Sequence, residues 1–125
     1  MIIEPKIRGF ICTTAHPIGC ATNVQRQIDH VVVKGPIPSE RKRVLVLGCS
    51  TGYGLASRIV NTFGSGADTV GVSFEKEPAE TKTGSAGWYN NRAFEKRAEA
   101  AGRIAVTVEG DAFSDAIKAE TIAKV

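Results

Sequence analysis

Arg43-Val44-Leu45-Val46-Leu47 runs without a break into Gly48-Cys49-Ser50-Thr51-Gly52-Tyr53-Gly54, so an apolar strand ends in a glycine turn that opens a helix. Glycine at these spacings lets backbone N–H groups come close to an anion, and the positive end of the following helix favours one. This is the pattern of a nucleotide-binding turn. The next apolar run, Thr69 to Phe74, ends in Glu75, which stands 21 positions beyond Gly54. A dinucleotide site places the acid that holds a ribose at about this separation.

The order of elements repeats outward from the turn. Tyr53 to Phe63 reads as a helix with Leu55, Ile59 and Phe63 on one stripe, and Gly64-Ser65-Gly66 stops it. A second strand covers Thr69 to Phe74. After a long polar connector, Lys76 to Gly87, a helix from Trp88 to Ala101 carries Phe94, Ala98 and Ala101 on its apolar face, and Gly102 ends it. Arg103 to Val108 forms a third strand, and a last helix begins near Ser114 as N-cap, with Ile117, Ile122 and Val125 at helical spacing. Upstream, residues 2–13 read as an extended segment. Asn23 to Lys34 reads as a helix bearing Val24, Ile28, Val31 and Val32, stopped at Gly35-Pro36.

The β-α-β-α-β-α order predicts an α/β fold: the first half of a Rossmann-like doubly wound parallel sheet, residues 43–125, preceded by an N-terminal extension, residues 1–42. The apolar run Val44 to Leu47 is expected of a strand covered on both faces. Strand order 3-2-1 leaves that strand at an edge, where the second half of such a sheet normally pairs. The expectation is therefore a piece of a longer chain, or an edge covered by another copy.

Composition excludes several classes. The net charge is +3 with a pI near 8.9, and lysine and arginine are spread among aspartate and glutamate rather than clustered, which argues against a nucleic-acid partner. The one basic run, Arg41-Lys42-Arg43, sits at a strand entrance. Cys12, Cys20 and Cys49 form no CxxC pair, and with His16 and His30 they give no metal-ligand spacing, so reduced thiols in a cytoplasmic protein and no metal are expected. No apolar run reaches the length of a signal peptide core or a membrane span.

Longer stretches carry a more specific resemblance. Met1 to Cys12, Ala15-His16-Pro17-Ile18-Gly19-Cys20, Arg43 to Arg58, Gly71-Val72-Ser73-Phe74-Glu75, Gly84-Ser85-Ala86-Gly87-Trp88-Tyr89-Asn90-Asn91 and Gly110 to Asp115 together resemble the amino-terminal part of the FabV and Ter type trans-2-enoyl-thioester reductases. The resemblance implies an oxidoreductase of fatty-acid metabolism that reduces the C2=C3 double bond of an enoyl-CoA or enoyl-acyl-carrier-protein thioester with NADH. It also implies that Gly48, Cys49, Ser50, Thr51, Gly52 and Tyr53 contact NAD. Gly54 completes the cofactor-binding turn and is counted with them, Phe74 and Glu75 hold the adenosine ribose, and Asp111 and Ala112 touch the adenine.

Several roles stay open at this level. Ser50 and Thr51 can donate to phosphate, cap the helix, or both. Asp111 can bind adenine or begin a turn, and Phe74 is expected in the core with one edge at the site. The catalytic Tyr-x8-Lys pair of the family is not found, since Ala98 stands where Tyr89 would need its lysine. No catalytic residue is assigned, and the piece by itself is expected to be inactive. Two other readings compete: an S-adenosylmethionine-dependent methyltransferase, weakened by Val46 where its loop usually has an acid, and a non-catalytic dinucleotide-binding module.

Overall fold

The computed structural model describes residues 2–125. A small antiparallel hairpin, β1 (Ile7–Arg8) and β2 (Ile11–Cys12), precedes the long helix α1 (Pro17–Lys34). The main sheet is wholly parallel: β3 (Arg43–Leu47), β4 (Asp68–Ser73) and β5 (Ala105–Glu109), in spatial order β3-β4-β5. Between the strands run α2 (Gly52–Ile59), a π-helical turn (Val60–Gly64) and α3 (Ala86–Ala100), and α4 (Asp115–Lys124) follows β5. The three strands and their crossover helices are those expected, with β3 at one edge and β5 at the other.

Local sequence sets the boundaries. Helix α1 starts six residues ahead of the expected Asn23, because Pro17 suits the first helical position and His16 caps it, its Nδ1 accepting from the Gly19 N–H at 3.2 Å. It ends at Gly35, whose φ of 89° lies in the left-handed region. Ser114 caps α4 as expected, its hydroxyl accepting from the Ile117 N–H.

Val24 and Ile28 of α1 meet Leu55 and Ile59 of α2 and Phe94 and Ala98 of α3 in one cluster, with Phe63 edge-on to Phe94 at 6.0 Å between ring centroids. Each large member stabilises the fold by about 1.5–3 kcal/mol through burial. Ala101, expected on this face, is exposed at the end of α3, since the chain has left the helix there.

The pleat divides the sheet. Val46, Gly71 and Thr107 share one face in register, toward the helical layer, and Leu45, Val70 and Val106 share the other. Coverage of β3 on both faces is not what the structure shows. Val46 is buried, whereas Leu45 and Leu47 are 45% and 64% exposed, because α4 on the second face is set against β5 and β4. An open cavity of about 270 Å³ remains there, lined by Leu45, Val70, Val106 and the end of α4.

Candidate cofactor site

The turn after β3 is built on two left-handed glycines and one close approach. Gly48 and Gly52 have φ of 74° and 54°, conformations that side chains other than hydrogen rarely tolerate. Gly54 has an ordinary helical backbone, but a Cβ there would collide with the Gly48 carbonyl oxygen and stand 2.7 Å from its carbon. The loop folds back onto the first turn of α2. The N–H groups of Gly48 and Cys49 both donate to Val72 O, at 2.8 and 3.1 Å, so they anchor the loop to β4 and cannot also face a ligand. The first intrahelical bond is Leu55 N–H to Thr51 O, which leaves the amides of Gly52, Tyr53 and Gly54 ahead of it, at the positive end of the helix.

The neighbouring helix α3 braces this loop. Asn90 Nδ2 donates to Ser50 O at 3.0 Å, and the buried Asn91 spans Ser73 Oγ (2.9 Å) and Glu109 Oε1 (3.1 Å). Cys49 is fully buried with its side chain turned inward, its thiol donating to Asn91 Oδ1 at 3.6 Å. Its side chain therefore does not reach the site. Burial pushes the thiol pKa above its ordinary value, partly offset by the nearby Arg58 guanidinium. A thiol-alkylating reagent is expected to modify Cys49 on the order of a hundredfold more slowly in the native protein than in denaturant. Peptide mapping that finds native Cys49 modified at the denatured rate would contradict this placement.

Arg58 lies beneath the loop with no exposed surface. Its Nε donates to Thr69 Oγ1 (3.0 Å), Nη1 to Thr107 Oγ1 (2.9 Å) and Nη2 to Val106 O (2.8 Å), and the guanidinium stacks on Phe94, 4.6 Å from the ring centroid. One side chain of α2 thus ties down both β4 and β5. Desolvation lowers its pKa from the ordinary arginine value. Sequence reading missed it, as it missed Asn90, Asn91 and Glu109.

Glu75 stands two residues past the end of β4 and is brought to the loop. Its Oε1 accepts from Ser50 Oγ and its Oε2 from Ser85 Oγ, while its N–H donates to Glu109 Oε2 at 3.2 Å. The Ser50 hydroxyl is thereby spent on Glu75, and Thr51, the N-cap residue of α2, makes no side-chain capping bond, so neither caps the helix. Phe74 is 80% exposed and not a core residue, because β4 ends at Ser73 and the alternation ends with it. Tyr53 is exposed at the mouth. Asp111 takes the turn role, its Oδ1 accepting from Phe113 N–H at 2.9 Å, and Ala112 stands beside it, half-buried. The predicted residues therefore gather at the carboxyl ends of the three strands, where open α/β sheets bind ligands.

Among the described residues no group of three metal-ligating side chains occurs. The fold and this mouth define the class: a Rossmann-like dinucleotide-binding unit. The family model described as the NAD(P)H binding domain of trans-2-enoyl-CoA reductase matches residues 2–80, and that of the trans-2-enoyl-CoA reductase catalytic region matches residues 82–125. The chain belongs to the trans-2-enoyl-CoA reductase family.

Relatives agree with that assignment. The enoyl-[acyl-carrier-protein] reductase [NADH] of Burkholderia ambifaria (strain MC40-6) is 61% identical over 122 residues, a match covering 98% of this chain and 30% of the relative. The protein of the same name from Edwardsiella ictaluri (strain 93-146) is also 61% identical, covering 98% and 31%. Among solved structures, Treponema denticola trans-2-enoyl-CoA reductase in complex with NAD superposes with a TM-score of 0.89 at 52% identity, covering 99% of this chain and 32% of that one. The Clostridium acetobutulicum trans-2-enoyl-CoA reductase in complex with NADH gives 0.91 at 38% identity, covering 98% and 31%. The chain spans about a third of the length of these relatives. The methyltransferase reading and that of a non-catalytic module find no support, since both matching family models describe a reductase.

Proposed function

We propose that this chain is the NADH-binding part of a reductase that saturates the C2=C3 double bond of trans-2-enoyl thioesters, carried on CoA or on acyl-carrier protein, in the cytoplasm. The observation that carries the reading is the joined pair of features at one mouth: unspent amides at the start of α2, and a carboxylate fixed beside them by Ser50. The cradle fits a dinucleotide, because only hydrogen at Gly54 lets the loop close against the helix. In this reading residues 43–125 form the first half of the dinucleotide domain and residues 1–42 its extension, with the open edge of β3 covered by further chain or another copy.

The residues divide the work. Amides of Gly52, Tyr53 and Gly54, with the Thr51 hydroxyl, hold the pyrophosphate, and Gly48, Cys49 and Ser50 shape the loop that presents them. Glu75 accepts from the ribose hydroxyls, Phe74 flanks them, and Asp111-Ala112 meet the adenine. Bound there, NADH supplies the hydride for the β-carbon of the enoyl thioester. A 2′-phosphate at Glu75 meets like charge, so NADH is preferred over NADPH.

Two measurements test this. The full-length protein is expected to oxidise NADH only when a trans-2-enoyl thioester is present, and no enoyl-dependent oxidation with either carrier would overturn the assignment. Glu75→Ala is expected to lower the NADH:NADPH ratio of kcat/KM by about tenfold or more. An unchanged ratio would remove Glu75 from the ribose role.

A further inference from the structure

We infer that Ser85 is the positioning residue that sets dinucleotide choice, by holding the Glu75 carboxylate against the first turn of α3. The inference rests on the NADH reading above and adds to it a residue outside the cofactor-contacting set.

The geometry of Ser85 leaves its hydroxyl little freedom. Its Oγ accepts from the Lys76 N–H at 2.9 Å, and the Ser85 N–H donates to Lys76 O at the same distance, so the two residues are tied as a pair. With one lone pair occupied by that amide, the hydroxyl proton is directed to Glu75 Oε2. Although Ser85 stands at the N-cap of α3, its side chain makes no capping bond. The hydroxyl's short contact is with Glu75; the only other acceptor in range is Lys76 O at 3.4 Å.

The rest of the surroundings press the carboxylate into the same place. A Cβ on Gly87 would collide with Glu75 Oε1 and stand 2.8 Å from Ser50 Cβ, so the carboxylate occupies space that any larger residue would fill. Ser50 donates to the other oxygen from the loop side. Two hydroxyl donors fix the direction of the carboxylate, while each oxygen retains capacity to accept from a ribose hydroxyl.

Without the Ser85 donor, one oxygen loses its tether and the side chain of a half-buried residue can swing toward solvent. A 2′-phosphate then meets less fixed negative charge, and the exposed Lys76 ammonium next in sequence becomes available to it. Discrimination falls because NADPH binds better, with the chemical step untouched.

Steady-state kinetics of the full-length protein with NADH and NADPH test this in Ser85→Ala, Ser85→Thr, Ser85→Cys and Glu75→Gln. Ser85→Ala is expected to lower the NADH:NADPH ratio of kcat/KM about five- to tenfold, chiefly through a lower KM for NADPH, with kcat for NADH changed less than about twofold. Ser85→Thr, which keeps the donor, is expected to retain the parent ratio. Ser85→Cys weakens the donor without removing it and is expected to fall between, which keeps the test open should the alanine variant fold poorly. A parent ratio in both the alanine and cysteine variants, with a lowered ratio in Glu75→Gln, would overturn the role of Ser85 alone. An unchanged ratio in Glu75→Gln would remove Glu75 from the ribose role and the role of Ser85 with it, while absence of enoyl-dependent NADH oxidation in the parent protein would overturn the NADH reading itself.

Discussion

Gly54→Ala is expected to raise the dissociation constant for NADH more than about a hundredfold while leaving the helix content of the protein nearly unchanged. The backbone of Gly54 is not strained, and alanine is the better helix former by about 1 kcal/mol. The obstacle is contact. The added methyl would land on the Gly48 carbonyl oxygen and lie 3.2 Å from Cys49 Cα, and backbone atoms cannot turn aside as a flexible side chain can. The loop must move off α2, taking its anchor on Val72 O and the Asn90 bond to Ser50 O with it. A fluorescence titration with NADH, paired with a thermal melt, separates loss of the site from loss of the fold. A dissociation constant within about threefold of the parent would show that the close approach is not what forms the site.

Arg58→Met is expected to carry the largest stability loss, about 3–5 kcal/mol in denaturant unfolding. Methionine approximates the length of the side chain and keeps a contact with Phe94, but it offers nothing to Thr69 Oγ1, Thr107 Oγ1 or Val106 O. These groups lie between α2 and the sheet, where water cannot readily replace the guanidinium, so each lost bond costs about 1–3 kcal/mol. Gly71 makes the same point from β4, since a Cβ there would stand 2.7 Å from Arg58 Nη1. A loss below about 1 kcal/mol would mean that the buried guanidinium is dispensable to the stack of α2 on β4 and β5.

The parts of this structure that are readable from sequence are those in which one local force dominates. Arg43 to Leu47 had to be a strand and Gly48 to Gly54 a turn that opens a helix, because an apolar run and three closely spaced glycines allow little else, and α2 begins inside that stretch at Gly52. Ser114 declared its cap in the same way. The start of α1 was hidden because histidine is an uncommon cap and Pro17 looks like a breaker until it falls at the first helical position.

Buried polar residues were the harder matter, although their spacing held a clue. Arg58 lies between Leu55 and Ile59 on the stripe that faces the sheet, and Asn90 and Asn91 lie one turn before Phe94 on theirs. Read as a face, those positions had to be inside, and a charged or amide group inside needs partners. What spacing could not supply was the identity of the partners, which come from strands and loops far away in sequence: Thr107 for Arg58, Glu109 for Asn91, Ser50 for Asn90. The Glu75 position was legible, while its two serine tethers were not, because both depend on how the connector after β4 folds back to α3.

The most direct test of the central claim is a crystal structure of the full-length protein with NADH. The expected result is pyrophosphate oxygens within hydrogen-bond distance of the Gly52, Tyr53 and Gly54 amides, with the adenosine ribose hydroxyls on the Glu75 carboxylate. A pyrophosphate bound away from the start of α2, or a ribose with no contact to Glu75, would contradict it.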